Sequence, residues 1–151
     1  MNIHFSIFTN CCIGLILIFA GIMKATHLQS FTIEIAQYSD AYLFSWMIAK
    51  REIIAIFVCC CEIFIGFLTF IKRTITLSIF LIFIIMSFFL FLTSINYLLP
   101  PITGSISSCG CFGSSIQISA QASFYKNIIL WCIAAYNTFY QIKKLYFSVR
   151  F

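Results

Sequence analysis

Long apolar runs that contain almost no charge alternate with short charged clusters along this chain. Four such runs can be distinguished, and they cover residues 5–23, 53–71, 75–99 and 126–142. Each is close to the length of about 20 residues that a helix needs to cross about 30 Å of hydrocarbon. The third run ends at Pro100-Pro101, because proline lacks the backbone donor that a helix requires. The pattern predicts an all-α integral membrane protein, a single domain over residues 1–151 that folds as a bundle of four transmembrane helices.

The composition supports lipid as the solvent for these runs. Hydrophobic residues make up 62% of the chain and charged residues only 9%, which is too little polar surface to cover a water-soluble domain of this length. The run at 5–23 has no preceding Lys or Arg, and no small-residue cleavage site follows it. We therefore expect it to be a retained span and not a cleaved signal peptide.

The distribution of charge predicts an orientation for the four spans. An even number of spans places both termini on one side, and the basic residues expected there are Lys72, Arg73, Lys143, Lys144 and Arg150. The other side mixes both signs: Lys24, Lys50, Arg51 and Lys126 with Glu34, Asp40 and Glu52. The positive-inside rule then predicts cytoplasmic termini. Because the basic residues sit in pairs at membrane edges, the net charge of +5 does not indicate a nucleic-acid surface.

Two cysteines separated by one glycine lie in the predicted extracytoplasmic loop at residues 100–125. The stretch SSCGCFGSS places Cys109 and Cys111 in a neutral segment rich in Ser and Gly, on the side of the membrane where disulfides persist. A disulfide across one residue needs a tight geometry, which Gly110 makes easier to reach. Strained, exposed disulfides exchange readily with thiolates. We predict that Cys109 and Cys111 form a catalytic, redox-active dithiol.

Other interpretations of this pair stay open at the level of sequence. A static disulfide could hold the loop together, or the two thiols could be unpaired and without function. A metal site would need further ligands, and His27 is the one suitable residue expected on the same side. We therefore predict no metal.

Glu62 is the one acidic residue within the predicted spans, roughly 14 Å deep when counted from Ile53 at 1.5 Å per residue. Ionisable groups at such depth usually face the bundle interior and mark a functional site. Glu62 could relay protons from thiol oxidation or donate to a quinone-like carbonyl; alternatively, it only fixes helix packing. Lys24, at the end of the first run, is expected to extend toward the outer interface, with pairing to Glu62 or a contact to a partner protein as the alternatives. Gly66 would allow close helix approach.

The remaining cysteines lie within the predicted spans. Cys59, Cys60 and Cys61 precede Glu62, and Cys132 belongs to the fourth run. Because buried free cysteine mostly behaves as a small hydrophobic residue, this is our default interpretation. A second, membrane-embedded pair between Cys59 and Cys132 is the alternative. The chain contains no phosphate-binding glycine loop, HExxH pair or GxSxG elbow, which argues against a hydrolase or a nucleotide-driven pump.

Four short motifs occur in an order that resembles a known family. They are Gly21-x-x-Lys24, Glu62-x-x-x-Gly66, Cys109-Gly-Cys-Phe-Gly113 and Lys126-Asn127. The chain resembles the methylamine utilisation protein MauE family, part of the DoxX-like group of small bacterial four-helix membrane proteins, over residues 5–142. The triple cysteine before Glu62 is a departure from this pattern.

The resemblance implies a redox-associated protein of the bacterial inner membrane that supports disulfide formation or electron delivery in periplasmic proteins. Cys109 and Cys111 would be its redox pair, exchanging disulfides with a thioredoxin-like partner or a client, and Lys24 and Glu62 its polar bundle positions. No cofactor is fixed by the sequence; a lipid-soluble quinone bound near Glu62 and Lys24 is the electron acceptor that we favour. The alternatives are an anchoring or assembly subunit with a structural disulfide, and a small proton-coupled transporter that uses Glu62.

Overall fold

A computed structural model of the protein describes residues 3–41, 48–98 and 119–149. In these ranges the chain forms five α-helices, α1 (Ile3–Thr26), α2 (Leu28–Ala41), α3 (Arg51–Leu68), α4 (Ile75–Leu98) and α5 (Ala120–Val149), and a short 3-10 turn at Lys72–Thr74. The four apolar runs of the sequence fall within α1, α3, α4 and α5 and their immediate flanks.

One helix is much longer than its apolar run, and one helix was not predicted. Helix α5 begins at Ala120 and ends at Val149, beyond the run at 126–142 on both sides, and α2 was absent from the prediction. Residues 28–41 alternate apolar and polar side chains and contain no apolar run, so a search for spans does not detect them. Helix α2 packs against α3, and this contact supplies the apolar burial that a short helix needs.

Helix α3 ends three residues before the end of its apolar run, where backbone N–H groups bond to carbonyls three residues earlier and two threonine hydroxyls bond to the last carbonyls. The Thr69 hydroxyl donates to the Gly66 carbonyl at 2.7 Å, and the Thr74 hydroxyl donates to the Leu68 carbonyl at 3.0 Å. Such bonds satisfy carbonyls that the end of a helix leaves without an internal partner. The chain then turns directly into α4.

The bundle consists of two tightly packed antiparallel pairs, α1 with α3 and α4 with α5. Contacts between the two pairs are fewer, and a central apolar cluster provides part of them. Its buried members are Ile13, Leu17, Ile65, Ile82, Met86 and Ala134. One end of the bundle, which we call the pocket end, is where α1 and α4 finish and α3 and α5 begin. The opposite end is called the far end.

Glycines set the close approach of α1 and α3. A Cβ atom added at Gly66 would lie 2.7 Å from the Gly14 carbonyl oxygen, and one added at Gly21 would lie 3.2 Å from the Cys59 carbonyl oxygen. Real Cβ atoms essentially never approach a backbone atom within 3.0 Å, so Gly66 is required at its position. Small residues that let backbones come close are typical of helix packing in membranes.

Near the far end, amide and hydroxyl side chains form hydrogen bonds between the two helix pairs. They also form one within the pair of α4 and α5. Asn137 in α5 donates to the Thr9 hydroxyl in α1 at 3.0 Å, and Asn10 in α1 donates to the Ser78 hydroxyl in α4 at 3.0 Å. Within the second pair, Gln141 donates to the Thr76 hydroxyl at 2.8 Å. The helix pairs are therefore joined by polar contacts at the far end.

The distribution of polarity is opposite to that of a water-soluble domain. Among the described side chains, 15 polar or charged residues are buried, against 11 hydrophobic ones. Large apolar side chains on the outside include Phe8, Phe57, Phe64 and Phe139, which are 66%, 67%, 62% and 77% exposed. Large contiguous exposed apolar surface marks a surface that contacts lipid or protein.

Two stretches in the described ranges have the length and hydropathy of membrane spans, Ser6–Thr26 and Lys72–Ile95. Helix α3 carries three charged residues, Arg51, Glu52 and Glu62, in its 18 residues, and α5 is less apolar overall than α4. The length and composition of α1 and α4 agree with the first and third predicted spans.

Candidate functional site

A pocket lies between the two helix pairs toward the pocket end of the bundle. It has an empty volume of about 330 Å³, part of it open to the outside. Its walls come from all four long helices: Ile16, Leu17, Ala20, Lys24, Glu62, Met86, Phe89, Lys126, Asn127 and Leu130. Three of these residues are ionisable and most of the others are apolar. The pocket therefore combines a polar part with apolar walls.

The polar part is built on an ion pair between Lys24 of α1 and Glu62 of α3. The Lys24 ammonium donates a hydrogen bond to Glu62 Oε1. Lys24 is only 2% exposed and Glu62 is fully buried, so both charges are removed from solvent. Burial of a charge is costly unless an opposite charge and hydrogen bonds compensate it. The pair satisfies that requirement within the bundle.

Aromatic rings complete the surroundings of the Lys24 ammonium. Its nitrogen lies 4.8 Å from the centroid of the Phe89 ring in α4 and 5.5 Å from the centroid of the Phe31 ring in α2. A cation within about 6 Å of a ring centroid is attracted by the negative face of the ring. Lys24 thus contacts three different helices besides its own.

The glycine packing of α1 and α3 explains why Lys24 reaches Glu62. A Cβ at Gly21 would lie 3.2 Å from the Glu62 Cβ, so α1 passes directly over Glu62 one turn before Lys24. Side chains on a helix point toward its amino terminus, which directs the Lys24 side chain back into the bundle. The expectation that Lys24 extends to the outer interface is therefore wrong, and the alternative of pairing with Glu62 is what the structure shows.

The opposite wall is fixed by hydrogen bonds between α4 and α5. Asn127 donates to the Thr93 hydroxyl at 3.3 Å, and the Trp131 indole nitrogen donates to the Ser87 hydroxyl at 2.9 Å. Trp131 also packs against the Phe83 ring, with centroids 5.9 Å apart. These contacts hold Lys126, Asn127 and Leu130 at the edge of the pocket.

The described cysteines do not form a second pair. All six, Cys11, Cys12, Cys59, Cys60, Cys61 and Cys132, are free thiols. Cys59 is buried, whereas Cys60 and Cys132 are exposed on the outside of the bundle. The alternative of a disulfide between Cys59 and Cys132 does not hold in this structure.

Cys109 and Cys111, the predicted redox pair, lie outside the described residues. The chain leaves the described part at Leu98, the last residue of α4, and α5 begins at Ala120. Leu98 and Ala120 both lie at the pocket end of the bundle. Within the described ranges, no three His, Cys, Asp or Glu side chains are grouped as a metal ion would require.

The charged residues of the pocket could be identified from the sequence more readily than its apolar walls. Lys24, Glu62, Lys126 and Asn127 all lie in the motifs recognised in the sequence, but only the fold brings them to one pocket. Met86 and Phe89 lie in a run where almost every residue is apolar. Nothing in that run distinguishes a pocket residue from one that faces lipid.

Together, the inverted polarity, the two span-like helices and the buried ion pair define a helical membrane protein with a polar site inside its bundle. The chain belongs to the methylamine utilisation protein MauE family, whose model matches residues 3–140. This match confirms the resemblance found in the sequence motifs. No curated protein and no solved structure matches the chain.

Proposed function

We propose that this protein is a thiol-disulfide exchange protein of a bacterial inner membrane that oxidises or reduces a periplasmic thioredoxin-like partner or client through Cys109 and Cys111. The observation that carries the proposal is the Cys109-Gly110-Cys111 spacing in a segment whose two attachment points lie at the pocket end. Cys109 follows Leu98 by eleven residues, and Cys111 precedes Ala120 by nine. The dithiol is therefore tethered at the end of the bundle that contains the buried ion pair.

The exchange itself needs no further reactant. In the oxidising direction, a client thiolate attacks one sulfur of the Cys109–Cys111 disulfide, the S–S bond breaks, and a mixed disulfide forms. The second client thiolate then attacks the client sulfur of that mixed disulfide. The client leaves with a disulfide, and Cys109 and Cys111 become a dithiol that has accepted two electrons and two protons.

In the proposed topology, all four long helices cross the membrane and both termini are cytoplasmic. Helices α1 and α4 have 24 residues each, which corresponds to about 36 Å. Helix α3, at 18 residues, reaches about 27 Å, and α5, at 30 residues, about 45 Å. The far end carries the basic pairs Lys72-Arg73 and Lys143-Lys144, which supports its assignment to the cytoplasmic side.

Trapping of a mixed disulfide tests the exchange. The purified chain in lipid nanodiscs is reduced, freed of reductant, incubated with a small protein of the thioredoxin fold whose own cysteine pair is oxidised to a disulfide, and quenched with acid; the remaining thiolate attacks the partner's S–S bond, and one partner sulfur leaves as a thiolate. With Cys111→Ser or Cys109→Ser, we expect one of the two variants to accumulate a mixed disulfide that reductant removes. Cys132→Ser, which changes an exposed thiol in α5, is the matched control and should behave as the unmodified chain.

Sidedness is tested on the same residues in intact cells. In a variant that keeps Cys109 and Cys111 and replaces the six described cysteines, a membrane-impermeant maleimide should label the chain only after reduction. Labelling that requires permeabilised cells, or trapping in neither single variant, would refute the proposal.

Two other functions predict different results. A purely structural disulfide in an anchoring subunit would leave both single cysteine variants fully functional. A proton-coupled transporter that uses Glu62 would lose function with Glu62→Gln, while the double variant of Cys109 and Cys111 retains it.

A further inference from the structure

We infer that the pocket between the two helix pairs binds the head group of a lipid-soluble quinone, with its tail directed toward the bilayer. This inference rests on the proposed function, since the quinone would be the acceptor that returns the dithiol to the disulfide. In that step the S–S bond forms between Cys109 and Cys111. The two electrons and two protons released pass to the quinone, which becomes a quinol.

The polar part of the pocket favours a ligand that accepts hydrogen bonds. The lining contains two ammonium groups, Lys24 and Lys126, beside the Glu62 carboxylate. An ammonium group has three N–H donors and no acceptor, and in the described part of the chain Lys24 donates one hydrogen bond, to Glu62. The Asn127 amide adds further donor capacity at the same wall. Quinone carbonyl oxygens are uncharged acceptors that match this arrangement.

The apolar part of the pocket favours a lipophilic ligand that arrives through the membrane. Leu17, Met86, Phe89 and Leu130 form walls without a polar side chain. Ile16, which also lines the pocket, is 38% exposed on the outside of α1. Small-molecule pockets are usually apolar cavities with a few polar groups that fix the orientation of the ligand. A flat ring with an isoprenoid tail meets both conditions.

The arrangement of the helix pairs explains why the space exists at this end. Near the far end, the hydrogen bonds Asn137 to Thr9 and Asn10 to Ser78 hold the pairs together. Toward the pocket end, three charged residues and an amide line the space between the pairs. An ionisable group inside a membrane bundle marks a functional site by default, and in this pocket the ion pair leaves adjoining empty space.

Binding can be measured without any turnover by the fluorescence of Trp131. The chain contains two tryptophans, so Trp46→Phe leaves Trp131 as the single reporter, next to the lining residue Leu130. Decylubiquinone is titrated into the chain in nanodiscs, and we expect saturable quenching. Lys24→Met should weaken the apparent affinity about tenfold, the effect of losing one hydrogen bond to a charged donor. Lys72→Met, at the exposed far end, is the matched control and should bind as the parent does.

A second variant and two competitors complete the test. Leu130→Phe narrows the pocket without changing a polar group, and it should weaken quenching even if Lys24→Met fails to fold. The Cys109→Ser/Cys111→Ser double variant should bind decylubiquinone unchanged, so failure of the exchange proposal is distinguishable from failure of this one. Quenching that does not saturate, or that is equal in Lys24→Met and Lys72→Met, would overturn the inference. Displacement of decylubiquinone by phosphatidylglycerol but not by a second short-chain quinone would identify a phospholipid site instead, and would also overturn it.

Discussion

Removal of the Lys24 ammonium should destabilise the bundle far more than removal of any exposed lysine. Lys24→Met keeps a flexible side chain of similar length but withdraws the cation that pairs with Glu62. Glu62 has no exposed surface, so water cannot replace the lost partner. The Glu62 carboxylate would then stay buried between α1 and α3 without the cation that offsets the cost of its burial.

The magnitude follows from the burial of both partners. Breaking a buried ion pair by removal of one partner costs about 3–5 kcal/mol. An average hydrogen bond between membrane helices contributes about 0.6 kcal/mol, so the loss should stand out clearly from an ordinary polar substitution. Replacing both residues, as Lys24→Met with Glu62→Leu, removes the charge and the need to compensate it. The double variant should therefore recover most of the stability.

Unfolding in mixed micelles with increasing dodecyl sulfate, followed by circular dichroism, measures these differences. Lys50→Met is the matched control, because Lys50 is exposed at the same end of the bundle, and its effect should stay within about 0.5 kcal/mol. A cost below about 1 kcal/mol for Lys24→Met would refute the argument. So would a double variant as unstable as the single one.

Two further predictions concern the packing of the helix pairs. Gly66→Ala should destabilise the α1 and α3 pair by about 1–3 kcal/mol, because the new Cβ would lie 2.7 Å from the Gly14 carbonyl oxygen. Thermal unfolding measures this loss of stability. The control Phe67→Ala, at an outward-facing neighbour, should change the unfolding temperature little. Ser87→Ala should shift the fluorescence spectrum of Trp131 and cost about 0.5–1.5 kcal/mol, since the indole loses its acceptor at 2.9 Å. An unchanged spectrum would contradict this hydrogen bond.

The sequence predicted the helical class of the protein because apolar run length is a local property. The runs at 5–23 and 75–99 became the span-like helices α1 and α4. Helix α2 escaped prediction because its residues show no apolar run, and its stability depends on packing against α3. The end of α3 coincides with hydrogen bonds from the hydroxyl groups of Thr69 and Thr74 to its last carbonyls, which no hydropathy pattern records.

The candidate site shows the same difference between what a local sequence pattern predicts and what depends on packing. Glu62 could be singled out from the sequence, because one acidic residue in an apolar run is costly wherever that run ends up in the membrane. The partner of Glu62 could not be fixed in the same way, because Lys24 lies at the end of a different helix, where an outward direction is the usual expectation. The structure reversed that expectation.

What the sequence by itself determined is therefore the solvent and the chemistry: a chain too apolar for water, one carboxylate within its four apolar runs, and two cysteines around a glycine. What only the tertiary structure decided is proximity. Gly21 and Gly66 let α1 approach α3 closely enough for Lys24 to reach Glu62, and the looser contact between the helix pairs leaves the pocket beside them. Hydropathy depends on each residue alone, whereas an ion pair between residues 38 positions apart depends on how two helix surfaces fit.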